Sequence, residues 1–142
     1  MGYSAWFYKH AAKHKAIVEK LLARGMDKEG IIDYFDYDSM VRNEPAFCPL
    51  YKKGTKCHDM ERLNCYLCAC PNFRFSDSGI VEKNGLMQMS GCATHRPEGR
   101  LIESKGKLHQ DCSGCTLPHA REYIESVFDL EWLEIMKRCE EE

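Results

Sequence analysis

A chain of 142 residues without a single long apolar run has no candidate for a helical membrane span, which needs about 20 such residues in succession. The opening stretch, Met1-Gly2-Tyr3-Ser4-Ala5-Trp6-Phe7-Tyr8-Lys9-His10, lacks the charged start and apolar centre of a signal peptide. Trp6 also stands where a myristoylation start carries Ser or Thr. The expectation is a cytoplasmic protein with no membrane attachment. An excess of one charge is missing too. Twenty Lys and Arg against 22 Asp and Glu leave a net charge of −2, so no polyanion-binding surface is expected. The short basic stretch Lys52, Lys53 and Lys56 with Tyr51 is too small to reverse that. No internal repeat and no low-complexity segment occurs. Catalytic signatures are absent as well: there is no nucleotide-binding loop, no Ser-His-Asp set and no HExxH helix. Glu131 and Glu134 are more simply solvated charge than a catalytic pair. No catalytic residue can be named, and a non-enzymatic role is favoured.

What the chain holds in quantity is cysteine. It has nine, and eight of them lie between Cys48 and Cys115. In a reducing compartment such density points to metal or redox chemistry rather than to disulfides, and an odd count does not suit a closed disulfide framework. The candidate ligands, in order, are Cys48, Cys57 with His58, Cys65, Cys68, Cys70, Cys92, and Cys112, Cys115 with His119. A CxxC turn brings two sulfurs to one ion, and two such turns complete a tetrahedral site. Cys65–Cys68 and Cys112–Cys115 are therefore expected to share a centre, with Cys70 as a third ligand beside the first turn. Cys48, Cys57 and Cys92 with a histidine would complete a second. The occupant is open between two choices. Pro71 after Cys70 and Pro49 after Cys48 favour an iron–sulfur cluster, with [4Fe-4S] the first choice. The available histidines suit Zn2+ equally well. His95 is a further candidate. His10, His14 and His109 are expected at the surface, and Cys139 is expected to be a free thiol in a charged tail.

Three segments organise the chain. Residues 1–44 predict a helical hairpin that packs on the rest. Ser4 would cap its first helix, Trp6, Phe7, Ala11, Ile17, Val18, Leu21 and Leu22 would form its apolar stripe, and Gly25 would end it. Asp27 would cap a second helix carrying Ile31, Ile32 and Phe35. Residues 45–125 form the cysteine-rich domain, where regular structure should be short. Asn84-Gly85 predicts a β-hairpin, and Lys105-Gly106 a second. Thr116 and Pro118 open a C-terminal helix, and residues 126–142 form a helical tail restarting at Asp129. The expected fold is thus small α+β, loop-rich and stapled by metal, with short hairpins and flanking helices.

The motifs Asn64-Cys65-Tyr66-Leu67-Cys68-Ala69-Cys70-Pro71 and Asp111-Cys112-Ser113-Gly114-Cys115-Thr116-Leu117-Pro118-His119 resemble the cysteine-rich small domain family, also called zinc-finger-like. Cys57-His58 matches the family's Cys-His pair, Cys48 its earlier cysteine, and Cys92 its cysteine between the two main motifs. The resemblance covers about residues 45 to 125. It implies a metal-binding module, carried alone or fused to a corrinoid-salvage amidohydrolase. The resulting expectation is a structural, interaction or redox accessory module with a protein partner. The alternative is an enzyme or a cluster- or metal-delivery protein in corrinoid or thiol metabolism.

Overall fold

A computed structural model of the protein describes residues 2–141. Helix α1 runs Tyr3–Ala23 and buries Phe7, His10, Ala11, His14, Ile17, Val18 and Leu21. These positions recur every three or four residues, so His10 and His14 sit in the apolar stripe and not at the surface as expected. Trp6 and Leu22 fall just outside the stripe and stay 45% and 44% exposed. The helix begins one residue before Ser4, whose hydroxyl and amide both turn to the Asp77 carboxylate. At its far end Gly25, at φ +78°, lets its own N–H reach the Leu22 carbonyl and that of Met26 reach Leu21. That pair of bonds is a Schellman cap.

Helix α2, Lys28–Tyr34, is capped by Asp27, whose side chain accepts from the Gly30 N–H at 2.9 Å. The expected hairpin has a third member, α3, Tyr37–Asn43. The break between α2 and α3 is extended Asp36, which forms an isolated bridge with Asn64.

Six strands follow: β1 Phe73–Phe75, β2 Val81–Lys83, β3 Leu86–Gln88, β4 Ser90–Cys92, β5 Arg100–Ser104 and β6 Lys107–Asp111. Both expected hairpins form. Asn84 and Gly85, and likewise Lys105 and Gly106, take positive φ in succession, as a two-residue hairpin turn requires. Two pairings are long-range. Parallel contact of β3 with β6 joins the hairpins into a sheet of order β2-β3-β6-β5, and β1 pairs antiparallel with β4.

After β6 a 3-10 turn spans Leu117–His119, then come α4, Arg121–Val127, and α5, Trp132–Ile135. The expected helix from Thr116 is interrupted because the His119 carbonyl accepts from the Asn64 N–H at 3.2 Å, leaving Ala120 extended as the true cap. Asp129 accepts from the Glu131 N–H before α5.

One apolar core draws on all of these helices and on the cysteine-rich segment: Phe35, Met40, Tyr66, Leu67, Ile124 and Met136 are wholly enclosed. Cys139 is a free thiol, yet it is fully buried rather than tail-exposed. Its carbonyl accepts from the Phe75 N–H, and Phe75 accepts from Glu141, which pins the tail along β1. No helix among the described residues is long and apolar enough to cross a membrane. The chain is a small α+β fold with an N-terminal helix and short sheets.

Candidate metal centre

All nine cysteines are free thiols. The first CxxC turn closes with the Cys68 N–H on the Cys65 carbonyl. Asn64 holds that turn against the helices. Its amide nitrogen donates to the Ile32 carbonyl at 2.7 Å and to the Asp36 carboxylate at 2.8 Å, and its side-chain oxygen accepts from the Tyr66 N–H. The Cys65 N–H donates to the Phe35 carbonyl at 2.8 Å. Asn64 is 2% exposed, so these bonds are made in the interior, where an unpaired amide would be costly.

The chain then reverses abruptly. Ala69 and Cys70 take φ of +96° and +64°, a left-handed pair that costs a residue with a Cβ roughly 1–3 kcal/mol each. Three residues later β1 begins, and its register places Phe73 opposite Cys92, with the Ala93 N–H on the Asn72 carbonyl at 2.8 Å. Cys70 and Cys92 are thereby brought to one end of the β1–β4 pair. Strand β4 also runs beside β6: the Met89 N–H donates to the Leu108 carbonyl, and the Gln110 N–H to the Ser90 hydroxyl, both at 2.8 Å. Cys92 and Cys112 follow two residues beyond those contacts. The Cys112–Cys115 turn closes at 2.9 Å, and Gly114 is required in it, since a Cβ there would meet the Glu98 carbonyl at 2.9 Å.

Electrostatic contacts divide the thiols in chain order. Burial, and then the charges of Cys57 and Cys48, push Cys65 up to about 12 despite a hydrogen bond from the Tyr51 hydroxyl at 3.1 Å. Cys68 is raised by burial and then by Cys65, Cys57 and Cys48. Burial, then Cys70, Cys92 and Cys115, push Cys112 up to about 11, and Cys70 is raised by burial and by Cys115 and Cys92. The two groups are Cys48, Cys57, Cys65, Cys68 and Cys70, Cys92, Cys112, Cys115. Cys70 follows the reversal and leads into β1, whose partner β4 ends at Cys92.

Cys92 differs from its neighbours. Burial pushes its thiol up, but backbone N–H groups of Arg96, Thr94 and His95 and the Thr94 hydroxyl outweigh that and bring it below the ordinary value. Such a nest of donors stabilises a thiolate. The nearby Cys115, ahead of Glu98, raises the Arg96 guanidinium above its ordinary value.

Among the described residues, Cys57, His58 and His119 form the one set in which three ligand atoms all lie within 4.8 Å of one another. The tautomers follow from the partners. His119 Nδ1–H donates to the Asn64 carbonyl at 2.8 Å, so Nε2 faces the Cys57 sulfur, 3.6 Å away, with its lone pair. His58 Nε2–H donates to the Cys112 carbonyl at 2.8 Å, so Nδ1 faces the same sulfur at 3.0 Å. Metal-ligating histidines carry this arrangement, the second nitrogen being held by a carbonyl. Burial, with the nearby His58 adding to it, brings His119 down to about 4. His95 is exposed at φ +48°, while His109 is half-buried against the Tyr3 hydroxyl rather than at the surface.

A cavity of about 410 Å³ opens onto this set. Cys57, His58, Cys68, Cys70, Cys112 and His119 border it, together with Tyr3, Trp6, Phe73 and Pro118. The sequence marked neither this aromatic wall nor the contact of Tyr51 with Cys65. Tyr51 is 5% exposed, so it does not belong to the basic surface stretch in which it was placed. An aromatic residue three positions after a cysteine was the only signal available. Compared with models of protein families, with curated proteins and with solved structures, the chain matches none.

Proposed function

We propose that the chain is a metal-binding accessory protein with two thiolate-ligated centres, working in a reducing compartment. The observation that supports this most is the set of Cys57, His58 and His119, whose ligand atoms all lie within 4.8 Å of one another. Beside it Cys65, Cys68, Cys70 and Cys112 are each raised by burial and by neighbouring thiols, a poor arrangement for a protein unless a cation offsets the charge. The proposed centres draw on Cys48, Cys57, Cys65 and Cys68, and on Cys70, Cys92, Cys112 and Cys115. The Tyr51 hydroxyl would donate to the first group, and Arg96 with the amides around Cys92 to the second. Membership of the cysteine-rich small domain family is part of the proposal, on the motifs at residues 64–71 and 111–119.

For the second group the occupant proposed is a [4Fe-4S] cluster on Cys70, Cys92, Cys112 and Cys115. Pro71 directly after Cys70 is the feature that favours the cluster over zinc. When bound, such a cluster supplies one-electron transfer. Zinc is the alternative and would act as a crosslink. The protein partner proposed for this module would meet exposed apolar positions such as Leu101 and Ile102 on the edge strand β5.

The test is anaerobic purification followed by an absorption spectrum and metal analysis of one sample. A brown protein that bleaches reversibly on reduction, with iron and sulfide bound, supports the cluster. A colourless protein with stoichiometric zinc replaces the cluster by the crosslink. A well-folded protein free of metal ends the proposal.

A further inference from the structure

The two groups are not alike. In the second, the one imidazole contact given is that of His58 Nε2–H to the Cys112 carbonyl, not to its sulfur. At the first, Cys57 stands apart from Cys48, Cys65 and Cys68 by its close pairing with two histidines. Each of those histidines gives one N–H to a main-chain carbonyl and turns its bare nitrogen to the Cys57 sulfur. Neither bare nitrogen has another partner in the interior. The rings stand 4.5 Å apart and tilted by 50°, so neither stacks flat against the other in a way that packing alone would favour. Both anchoring carbonyls lie on the cysteine motifs themselves, at Asn64 and Cys112, so the orientation of the two rings is tied to the folding of both CxxC turns.

Three donors of this kind, one sulfur and two imidazole nitrogens, are a set that zinc accepts with a fourth position left over. The surroundings decide what that position faces. All three residues border the 410 Å³ cavity, whose lining also includes Tyr3, Trp6, Phe73 and Pro118. Trp6 is 45% exposed although it lies on α1 beside the buried stripe, so the aromatic wall is reachable from solvent. The volume is within the range of small-molecule sites, which are mainly apolar with a few convergent polar groups. The charge is also selective. One thiolate and two neutral imidazoles leave a divalent ion with a net charge of about +1, which favours an anionic donor. A soft thiolate with an apolar body satisfies the ion and the wall together.

We propose that Cys57 Sγ, His58 Nδ1 and His119 Nε2 hold one zinc-type divalent cation whose open position binds the thiolate of a small aromatic or apolar thiol seated against Trp6, Tyr3 and Phe73. This rests on the reading that the cysteine-rich segment is metal-loaded, and it gives Cys57 a mixed sulfur–nitrogen donor set of its own beside Cys48, Cys65 and Cys68.

The experiment uses the full-length chain loaded with one equivalent of Co2+, a spectroscopic substitute for zinc, in a Cys92→Ser background that weakens the second group. X-ray absorption at the cobalt edge is expected to show mixed nitrogen and sulfur ligands. Titration with thiophenol is expected to shift the visible cobalt bands and to saturate at a concentration at least tenfold below that of 2-mercaptoethanol. His58→Ala and His119→Ala, each checked for an unchanged far-UV circular dichroism spectrum, are expected to weaken cobalt binding at least tenfold. Trp6→Ala should leave cobalt binding intact and remove the preference for thiophenol. An all-sulfur cobalt site, read on protein with both histidines in place, overturns the donor set while leaving the metal-binding proposal standing. Bands that thiophenol does not move overturn the open position. Failure to take up cobalt overturns both this inference and the reading beneath it.

Discussion

The helical frame and the cysteine-rich segment solve the problem of stability in different ways. In the frame, aromatic and aliphatic side chains fill the interior around Phe35. His14 stacks on its ring at 4.8 Å, and Tyr66 meets it edge-on at 4.9 Å. In the cysteine-rich segment the strands are three to five residues long, every residue of β5 is exposed, and the turns carry sulfur instead of hydrocarbon. The frame has enough apolar surface to bury. The segment lends Leu63, Tyr66, Leu67 and Phe75 to that same core, while Cys48, Cys68, Cys70, Cys92 and Cys112 stay half-buried outside it. The two meet at Tyr66, which sits inside the first CxxC turn with its ring in the helical core and its hydroxyl on the Asp129 carbonyl.

This contrast can be broken experimentally, and the largest expected effect comes from stripping metal. Structural zinc in small domains is worth on the order of 10 kcal/mol. After chelation, amides of residues 57–119 should lose hydrogen-exchange protection by several orders of magnitude, while Ile17, Val18 and Leu21 in α1 stay protected. Equal loss in both regions would mean that they form a single cooperative unit. The converse perturbation is Phe35→Ala, which empties the centre of the frame. A fully buried Phe replaced by Ala costs about 3–5 kcal/mol, to be read as a shift in denaturant midpoint.

Acid gives a smaller effect that separates the regions by chemistry. Burial, and then the Lys13 charge, bring His10 down to about 4. Burial and His10 bring His14 down to about 3, against the opposing bond of its Nε2–H to the Tyr66 carbonyl. The unfolded chain takes up these protons below about pH 6.5 and the folded chain does not, so stability holds above pH 6.5 and falls as pH drops towards 4 and 3. The loss approaches roughly 1.4 kcal/mol per pH unit for each histidine. His14→Gln should flatten this acid limb in an unfolding series across pH 3–7, and an unchanged limb would assign it to other groups. The smallest effect is expected from Tyr51→Phe. Losing one hydrogen bond to the Cys65 sulfur should cost about 1 kcal/mol in metal-loaded protein and less after chelation, measured by thermal unfolding of both forms.

Much of the local structure was legible in the residues. Asn84-Gly85 and Lys105-Gly106 specify hairpins because both positions of each pair must take positive φ. Asp27 caps α2 through a bond only three residues long, and Gly25 ends α1 for the same local reason. Of the candidate site, the pair Cys57-His58 was legible as neighbours in sequence, but their meeting with His119 was not. That meeting depends on contacts across more than 50 positions, which no short window contains. His10 and His14 were misread for a related reason. Polarity placed them outside, whereas helical periodicity and the aromatic rings of Phe47, Phe35 and Trp132 around them placed them inside.

The sequence by itself determined the Asp27 and Gly25 caps, the two hairpins and most of the helical stripe of α1, because each follows from neighbours within a turn or two of chain. Tertiary structure alone decided that Cys139 is enclosed, and that Cys57, His58 and His119 meet on the wall of one cavity. The physical reason is chain separation. His119 reaches Cys57 across 62 positions, and its orientation is set by a carbonyl, Asn64, that is 55 positions away.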